Sequence, residues 1–313
     1  MSAAGVAGAD HGDVTDYGHP LTFGVSLDPT AADFGSALDL ARQADRAGLE
    51  YLAVQDHAYQ PGYLDVWTML SYLTARTERI AVVSDVADLQ LRPPAMLAKA
   101  AASLAAIAPG RVALGVGGGP SAAAVASMGA TPHHGRAMVE YTEEAIGILR
   151  AALDGRAIRT DTEHHHIAGY QAGPVPAAPV PIWVGSQKPG MLGVTGRVGD
   201  GWVSPLNIYV PPQDVPERQA IIDAAAREAG RDPRDVRRLY NVIGAIGPYR
   251  GGQGLVGPAG LWVDTLTEWA VELGFDTFVL WTITDPAAQL ELFTSEVVPA
   301  VRERVAERRG AAA

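Results

Sequence analysis

PIWVGSQKPGMLGVTGRVGDGW, residues 181–202, reads as a strand, a turn, a helix and the start of a second strand. Ile182, Trp183 and Val184 form a short apolar run suited to a buried strand. Gly185, Ser186, Gln187 and Lys188 break that run, and Pro189 stands where the first turn of a helix accepts a residue without an N–H. Gly201 to Val203 open the next strand. A strand that ends on a helix N-terminus brings free backbone N–H groups and the positive end of the helix dipole to one point, so this turn is able to hold an anion. Lys188 lies inside it, and Lys99 is the other lysine of the chain. Turns of the same composition also join strands to helices in α/β proteins that bind nothing there, so the surrounding chain has to decide.

Outward from this unit the same pattern repeats in both directions. Strands are expected at 21–27, 51–55, 80–86, 112–116, 182–185, 202–204, 239–246 and 277–281, and helices near 33–47, 65–75, 94–107, 139–153, 190–198, 214–229, 260–273 and 286–306. Ala37, Leu40, Ala41, Ala44 and Ala47 recur at spacings of three and four, as do Leu266, Trp269, Ala270 and Leu273. Eight strand–helix units match a (β/α)8 TIM barrel better than a doubly wound sheet, which usually closes in five or six strands. The expected organisation is one barrel domain over 21–306, a flexible segment at 1–20 and a flexible tail at 307–313. Residues 155–180, rich in His, Gly and Pro, are too long for an ordinary loop and form an insertion between helix 4 and strand 5, as a pocket wall or as a surface excursion.

Composition narrows the function classes. Hydrophobic residues make up 48% of the 313 and charged residues 19%, enough apolar material for a large core. The net charge of −11 argues against a nucleic-acid or acidic-membrane binder, because a polyanion meets a repulsive average field. The chain has no cysteine, which excludes disulfides, thiolate nucleophiles and cysteine-ligated metals. Neither a signal-peptide pattern nor an apolar run of membrane-spanning length is expected, and a cytoplasmic location follows as the default.

In such a barrel the reactive groups stand just after each strand. Asp56-His57 is the leading acid/base candidate, since an imidazole exchanges a proton near neutral pH and a neighbouring carboxylate can orient its surroundings. Asp85-Val86-Ala87-Asp88 places two carboxyls where the pocket floor belongs, with capping of the following turn as the alternative use of either. The glycines of GVGGGP, 115–120, loosely fit a dinucleotide fingerprint but fall in the fourth unit, so close backbone approach to a flat ring or a substrate is the better use. Tyr59, Tyr63, Trp67 and Tyr170 are candidate pocket walls. His164, His165 and His166, with His133 and His134, suggest a metal cluster until spacing is considered, because adjacent histidines point apart; no metal site is expected.

Several ordered motifs resemble the bacterial luciferase-like superfamily of flavin- and deazaflavin-dependent oxidoreductases. They are SDVADLQLRPPAMLAK (84–99), PGRVALGVGGG (109–119), GPVPAAPVPIWVGSQKPGML (173–192), GRVGDGW (196–202) and EVVPAVRERVA (296–306). The resemblance, which points to the branch using coenzyme F420, implies a flavin-type ring across the C-terminal mouth and its phosphate in the turn after the fifth strand. By position it makes His57 the catalytic proton donor or acceptor and places Asp56 beside the ring. Gln187, Lys188, Gly190 and Met191 match the phosphate turn, and Asp88 matches a ring-contacting position that is often threonine. A non-proline cis peptide is implied at Asp85–Val86, behind the ring. The sugar-phosphate dehydrogenases of the family carry a glutamate where this chain has Pro120, which disfavours that reaction. The function expected is hydride transfer between F420 and a small organic substrate. Alternatives are an FMN-dependent monooxygenase using O2 and a non-catalytic flavin- or metabolite-binding barrel. A separate reductase or dehydrogenase supplying reduced cofactor, and homo-oligomerisation, also follow from the resemblance.

Overall fold

The computed structural model describes residues 16–119, 121–249 and 251–312. Eight parallel strands close into a barrel: β1 (Thr22–Leu27), β2 (Tyr51–Val54), β3 (Ala81–Ser84), β4 (Val112–Gly117), β5 (Ile182–Gly185), β6 (Gly201–Ser204), β7 (Arg237–Ile246) and β8 (Thr277–Thr282). Each strand pairs with the next, and β8 returns to β1 with Thr22 opposite Thr277. Helices lie between the strands, so both faces of each strand are covered and short apolar runs suffice. The expected (β/α)8 barrel is therefore the observed fold.

Alternation along the strands separates two cores. Phe23, Val25 and Leu27 of β1 face the helices, whereas the opposite face of the strands forms an interior layer running from Ala53 on β2 round to Val279 on β8. Trp183 fills that layer. Its ring meets Tyr51 edge-on at 5.0 Å, and a Cβ on Gly201 would stand 2.6 Å from its Cδ1, so the glycine is what admits the indole. Two residues further along the strands comes the layer that faces the mouth, with Gln55, Asp85, Gly115, Gly185, Asn241 and Trp281. A packed interior leaves any ligand to lie above this layer rather than within the barrel.

The helix Phe34–Ala47 ends on Gly48, whose φ of 82° lets its N–H return to the carbonyls of Ala44 and Asp45. The final helix differs from expectation, since Pro286–Leu292 passes through a π-turn, Phe293–Val297, and continues as Val298–Ala312. Of the N-terminal segment, residues 1–15 lie outside the described residues; within 16–20, Tyr17 is buried beneath the Arg238 guanidinium at 4.1 Å and Asp16 pairs with Arg309 at 2.6 Å. The insertion forms an antiparallel hairpin, Ala157–Asp161 with His166–Gln171, ahead of β5. Among the described residues, no helix is long and apolar enough to cross a membrane.

Candidate active site at the barrel mouth

The strand ends bring together residues that are far apart in sequence. Asp56, after β2, is only 4% exposed, and Arg92 grips both its oxygens: Nε donates to Oδ2 at 2.7 Å and Nη2 to Oδ1 at 2.9 Å. The same Nη2 reaches Asp65 Oδ2 at 2.7 Å, while the Asp88 N–H adds a 3.4 Å contact to Asp56. A carboxyl this deep is costly to bury unless such a fork satisfies both its oxygens. Asp56 thereby ties the loop after β2 to the segment after β3, and Arg92 is a site residue that the sequence reading missed.

His57 is half-buried beside it. Burial lowers its pKa below the ordinary 6.5, and the charge of Asp56 offsets this only in part, so the imidazole is neutral at pH 7. The Tyr59 hydroxyl lies 2.8 Å from Nδ1, and the Tyr59 and Tyr63 rings flank the imidazole at 5.5 and 6.4 Å. Nε2 has no hydrogen-bond partner among the described residues. Trp67 is buried in the main core, and Tyr170 is half-buried and packs onto that core.

β3 stops at Ser84, two residues short of the expected end, and the chain crosses Asp85–Val86 in a cis peptide before Ala87 and Asp88 pair with Val116 and Gly117 of β4. The Val86 side chain stands over glycine. A Cβ on Gly185 would come within 2.7 Å of its Cγ2, one on Gly117 within 2.9 Å, and one on Gly115 within 3.3 Å of Cγ1. Gly117 thus makes room for the Val86 side chain, and Gly115 makes room first for the Ser84 carbonyl oxygen. Asp88 is 2% exposed and lies against Gly119. Its Oδ1 accepts the Gln90 N–H at 2.9 Å, whereas Oδ2 is shut off from solvent without a partner. Burial, with the charge of Asp56 adding to it, raises its pKa.

Asp85 occupies the floor. The residue as a whole keeps some exposure, but its carboxyl lies inside, and burial pushes its pKa up to about 6 against the opposing pull of the Asn241 amide, 3.2 Å from Oδ1. The folded protein therefore holds a proton that the unfolded chain releases above about pH 4, and stability falls as the pH rises through that window to about 6. Asp85→Asn is expected to leave the urea-unfolding midpoint unchanged near pH 4 and to raise stability near pH 7.5 by up to about 3 kcal/mol. A difference that does not change with pH would show the carboxyl to be solvated.

The turn after β5 is open. Gln187, Lys188 and Gly190 are exposed, and the first helical hydrogen bond runs from the Leu192 N–H to the Lys188 carbonyl at 3.0 Å. The amides of Gly190 and Met191 precede it in the helix Pro189–Val198. Gln187 donates through Nε2 to the Tyr209 carbonyl at 3.0 Å, and the Met191 side chain is buried in the core, which leaves its backbone N–H for a ligand. At the opposite side of the mouth, a cavity of about 380 Å3 is bounded by the ends of β1, β2 and β8. Ser26, Gln55, Trp281 and Thr282 form its barrel side, while Asp28 and Asp33 supply its charge. A recess of about 450 Å3 among Asp264, Glu272, Arg304 and Arg308 lies on the outer helices and is bridged by ion pairs, away from the strand ends.

The histidines of the insertion diverge. His165 lies against Tyr141 at 4.4 Å, His166 pairs with Asp161 at 2.6 Å, and His164 meets His133 edge-on at 5.2 Å. Among the described residues, no group of three His, Asp or Glu side chains is arranged to hold a metal. Pro120, which stands in place of the family's glutamate, lies outside the described residues.

A closed parallel barrel with a histidine, buried carboxyls and an anion-capable turn at its C-terminal mouth is the architecture of a cofactor-binding (β/α)8 enzyme. The profile of the luciferase-like monooxygenase family matches residues 15–250, and the chain belongs to that family. An F420-dependent glucose-6-phosphate dehydrogenase of Kineococcus radiotolerans is 29% identical over 198 residues, covering 61% of this chain and 58% of that enzyme. A 5,10-methylenetetrahydromethanopterin reductase of Methanolobus tindarius is 31% identical over 216 residues, 69% of this chain and 63% of that one. The chain thus spans less than two thirds of the length of either relative. The solved structure of an F420-dependent secondary alcohol dehydrogenase with an F420-acetone adduct superposes with a TM-score of 0.81 over 90% of this chain and 99% of that one; at 18% identity the likeness shows the fold.

Proposed function

We propose that this chain is a deazaflavin (F420)-dependent oxidoreductase acting on a small, neutral alcohol or carbonyl compound. The observation that carries the reading is the meeting, at one mouth, of His57 and the free amides of Gly190 and Met191, in a chain whose relative from Kineococcus is named for F420. The residues present fit such a group. Gln187, Lys188 and the two amides suit a phosphate, the floor at Val86 suits a flat ring, and the unpartnered buried oxygens of Asp85 and Asp88 suit polar ring edges. When bound, the deazaflavin supplies a two-electron hydride acceptor or donor.

The chain's own contribution is proton handling and positioning. The Tyr59 hydroxyl can accept a hydrogen bond from His57 Nδ1–H or donate one to a bare Nδ1, so it holds either tautomer. With Nδ1 protonated, Nε2 takes a proton from a substrate hydroxyl, and the Asp56 charge favours the imidazolium that results. In the reverse direction Nε2 returns that proton to a carbonyl oxygen. Arg92 keeps Asp56 fixed while this occurs.

The cavity beside Trp281 is where the substrate would sit. Among the described residues, no lysine or arginine lines it, and Asp28 and Asp33 repel anions. With the oxidised cofactor, neutral secondary alcohols are expected to bleach the F420 absorbance, whereas glucose 6-phosphate is not. Rapid turnover of the phosphate ester with none of the neutral compounds would overturn the substrate assignment. Reduced-flavin monooxygenation, after which the family is named, is the competing reading.

A further inference from the structure

Asp85 is a carboxyl that the proton-handling pair does not use. It projects from the end of β3 into the layer that faces the mouth, and only one of its oxygens is satisfied. Asn241 Nδ2 donates to Oδ1 at 3.2 Å and also to the Ser204 carbonyl at 3.2 Å, while Trp281 Nε1 donates to Asn241 Oδ1 at 3.0 Å. Both ends of the Asn241 amide are thereby committed, so it cannot reverse to accept a proton from Asp85. Oδ2 is cut off from solvent and has no partner among the described residues.

Among the described residues, no cation answers this carboxyl. On the β2 side the titratable groups are Asp56, already neutralised by Arg92, and neutral His57; on its own segment the nearest is Asp88, itself buried. β4, β6, β7 and β8 present Gly115, Ser204, Asn241 and Trp281, none of which titrates. A carboxyl with one neutral donor, one empty oxygen and no positive neighbour is stabilised in its protonated form, and burial raises its pKa accordingly. A neutral acid held this way is a hydrogen-bond donor without a recipient among the described residues.

We propose that Asp85 is a ligand-contacting acid of this site, whose Oδ2–H donates a hydrogen bond to a carbonyl oxygen on the pyrimidine edge of the bound deazaflavin. This rests on the cofactor reading above. Asp85 adjoins Val86, which shapes the floor, and the cofactor ring is the flat, carbonyl-bearing group that this floor suits. The contact assigns one rigid donor to the ring, held by a network that spans β3, β6, β7 and β8.

The test is a fluorescence-quenching titration with F420 across about pH 5 to about pH 8, on the wild type and on Asp85→Asn, whose amide donates at every pH. The ratio of dissociation constants, wild type over variant, cancels titration of the ligand itself. It is expected to be flat at the acid end and to climb by up to about tenfold per pH unit once Asp85 ionises. A flat ratio with both proteins binding overturns the contact and leaves the cofactor assignment standing; a ratio that falls with pH overturns it too, since the carboxylate would then be the binding form. If neither protein quenches F420, both readings fall. Should the variant not fold, infrared difference spectra of the wild type at acid pH decide the matter: the C=O band of a buried neutral carboxylic acid shifts on F420 addition if the contact forms, and an unmoved band overturns it.

Discussion

Arg92→Ala is expected to cost about 3–5 kcal/mol of folding free energy, because it strands the Asp56 carboxylate in the interior without a counter-charge. The Asp56 side chain is only 2% exposed, so water cannot replace the lost fork, and the two bonds at 2.7 and 2.9 Å have no substitute among nearby donors except the weak 3.4 Å contact from Asp88. Loss of Arg92 also releases Asp65, whose Oδ1 caps the helix Val66–Thr74 by accepting the Thr68 N–H at 2.9 Å. Urea unfolding measures the cost. A double-mutant cycle with Asp56→Asn separates the causes: removing Arg92 beside a neutral asparagine should cost far less. A loss below about 1 kcal/mol in the single variant would mean that the pair behaves as a solvated surface bridge. Arg92→Lys should recover only part of the stability, since an ammonium cannot engage both oxygens.

His57→Asn is expected to lower turnover by about 10²–10⁴-fold while leaving cofactor affinity nearly unchanged. The size follows from the role: the histidine moves a proton in the transition state, and the cofactor is held elsewhere, by the turn after β5 and the floor. Alcohol oxidation by the wild type should gain rate as the pH rises through a value below 6.5, because burial favours the neutral base. That rise should vanish in the variant. Tyr59→Phe should shift the midpoint of the profile and reduce the rate less, since it acts only by holding the ring. Unaltered turnover in His57→Asn would remove His57 from the chemistry.

The repeating strand–helix pattern was legible because barrel strands are buried on both faces and therefore read as apolar runs, as in IWVG before its Gly-Ser break. The turn after β5 was legible for the same reason, with Pro189 marking the helix start. What escaped depends on contacts between distant segments. Nothing local distinguishes Arg92 from the other arginines, since its partner lies 36 residues away. The run IAVVSDVAD continues as a strand by composition, although the chain turns aside after Ser84. GVGGG resembles a ligand-binding loop until the Val86 and Asp88 side chains are seen to fill the space. Asn241 and Trp281 lie within ordinary strand sequence, and only barrel closure brings them to Asp85. The hairpin in the insertion was hidden by its histidines and glycines, which suit a loop equally well.

Parallel titration of the purified chain with F420 and with FMN decides whether the site takes a deazaflavin. Saturable quenching of F420 fluorescence is expected, with much weaker FMN binding and a loss of F420 affinity when Gly190→Pro removes an amide from the turn after β5. Tight binding of FMN with no response to F420 would contradict this expectation.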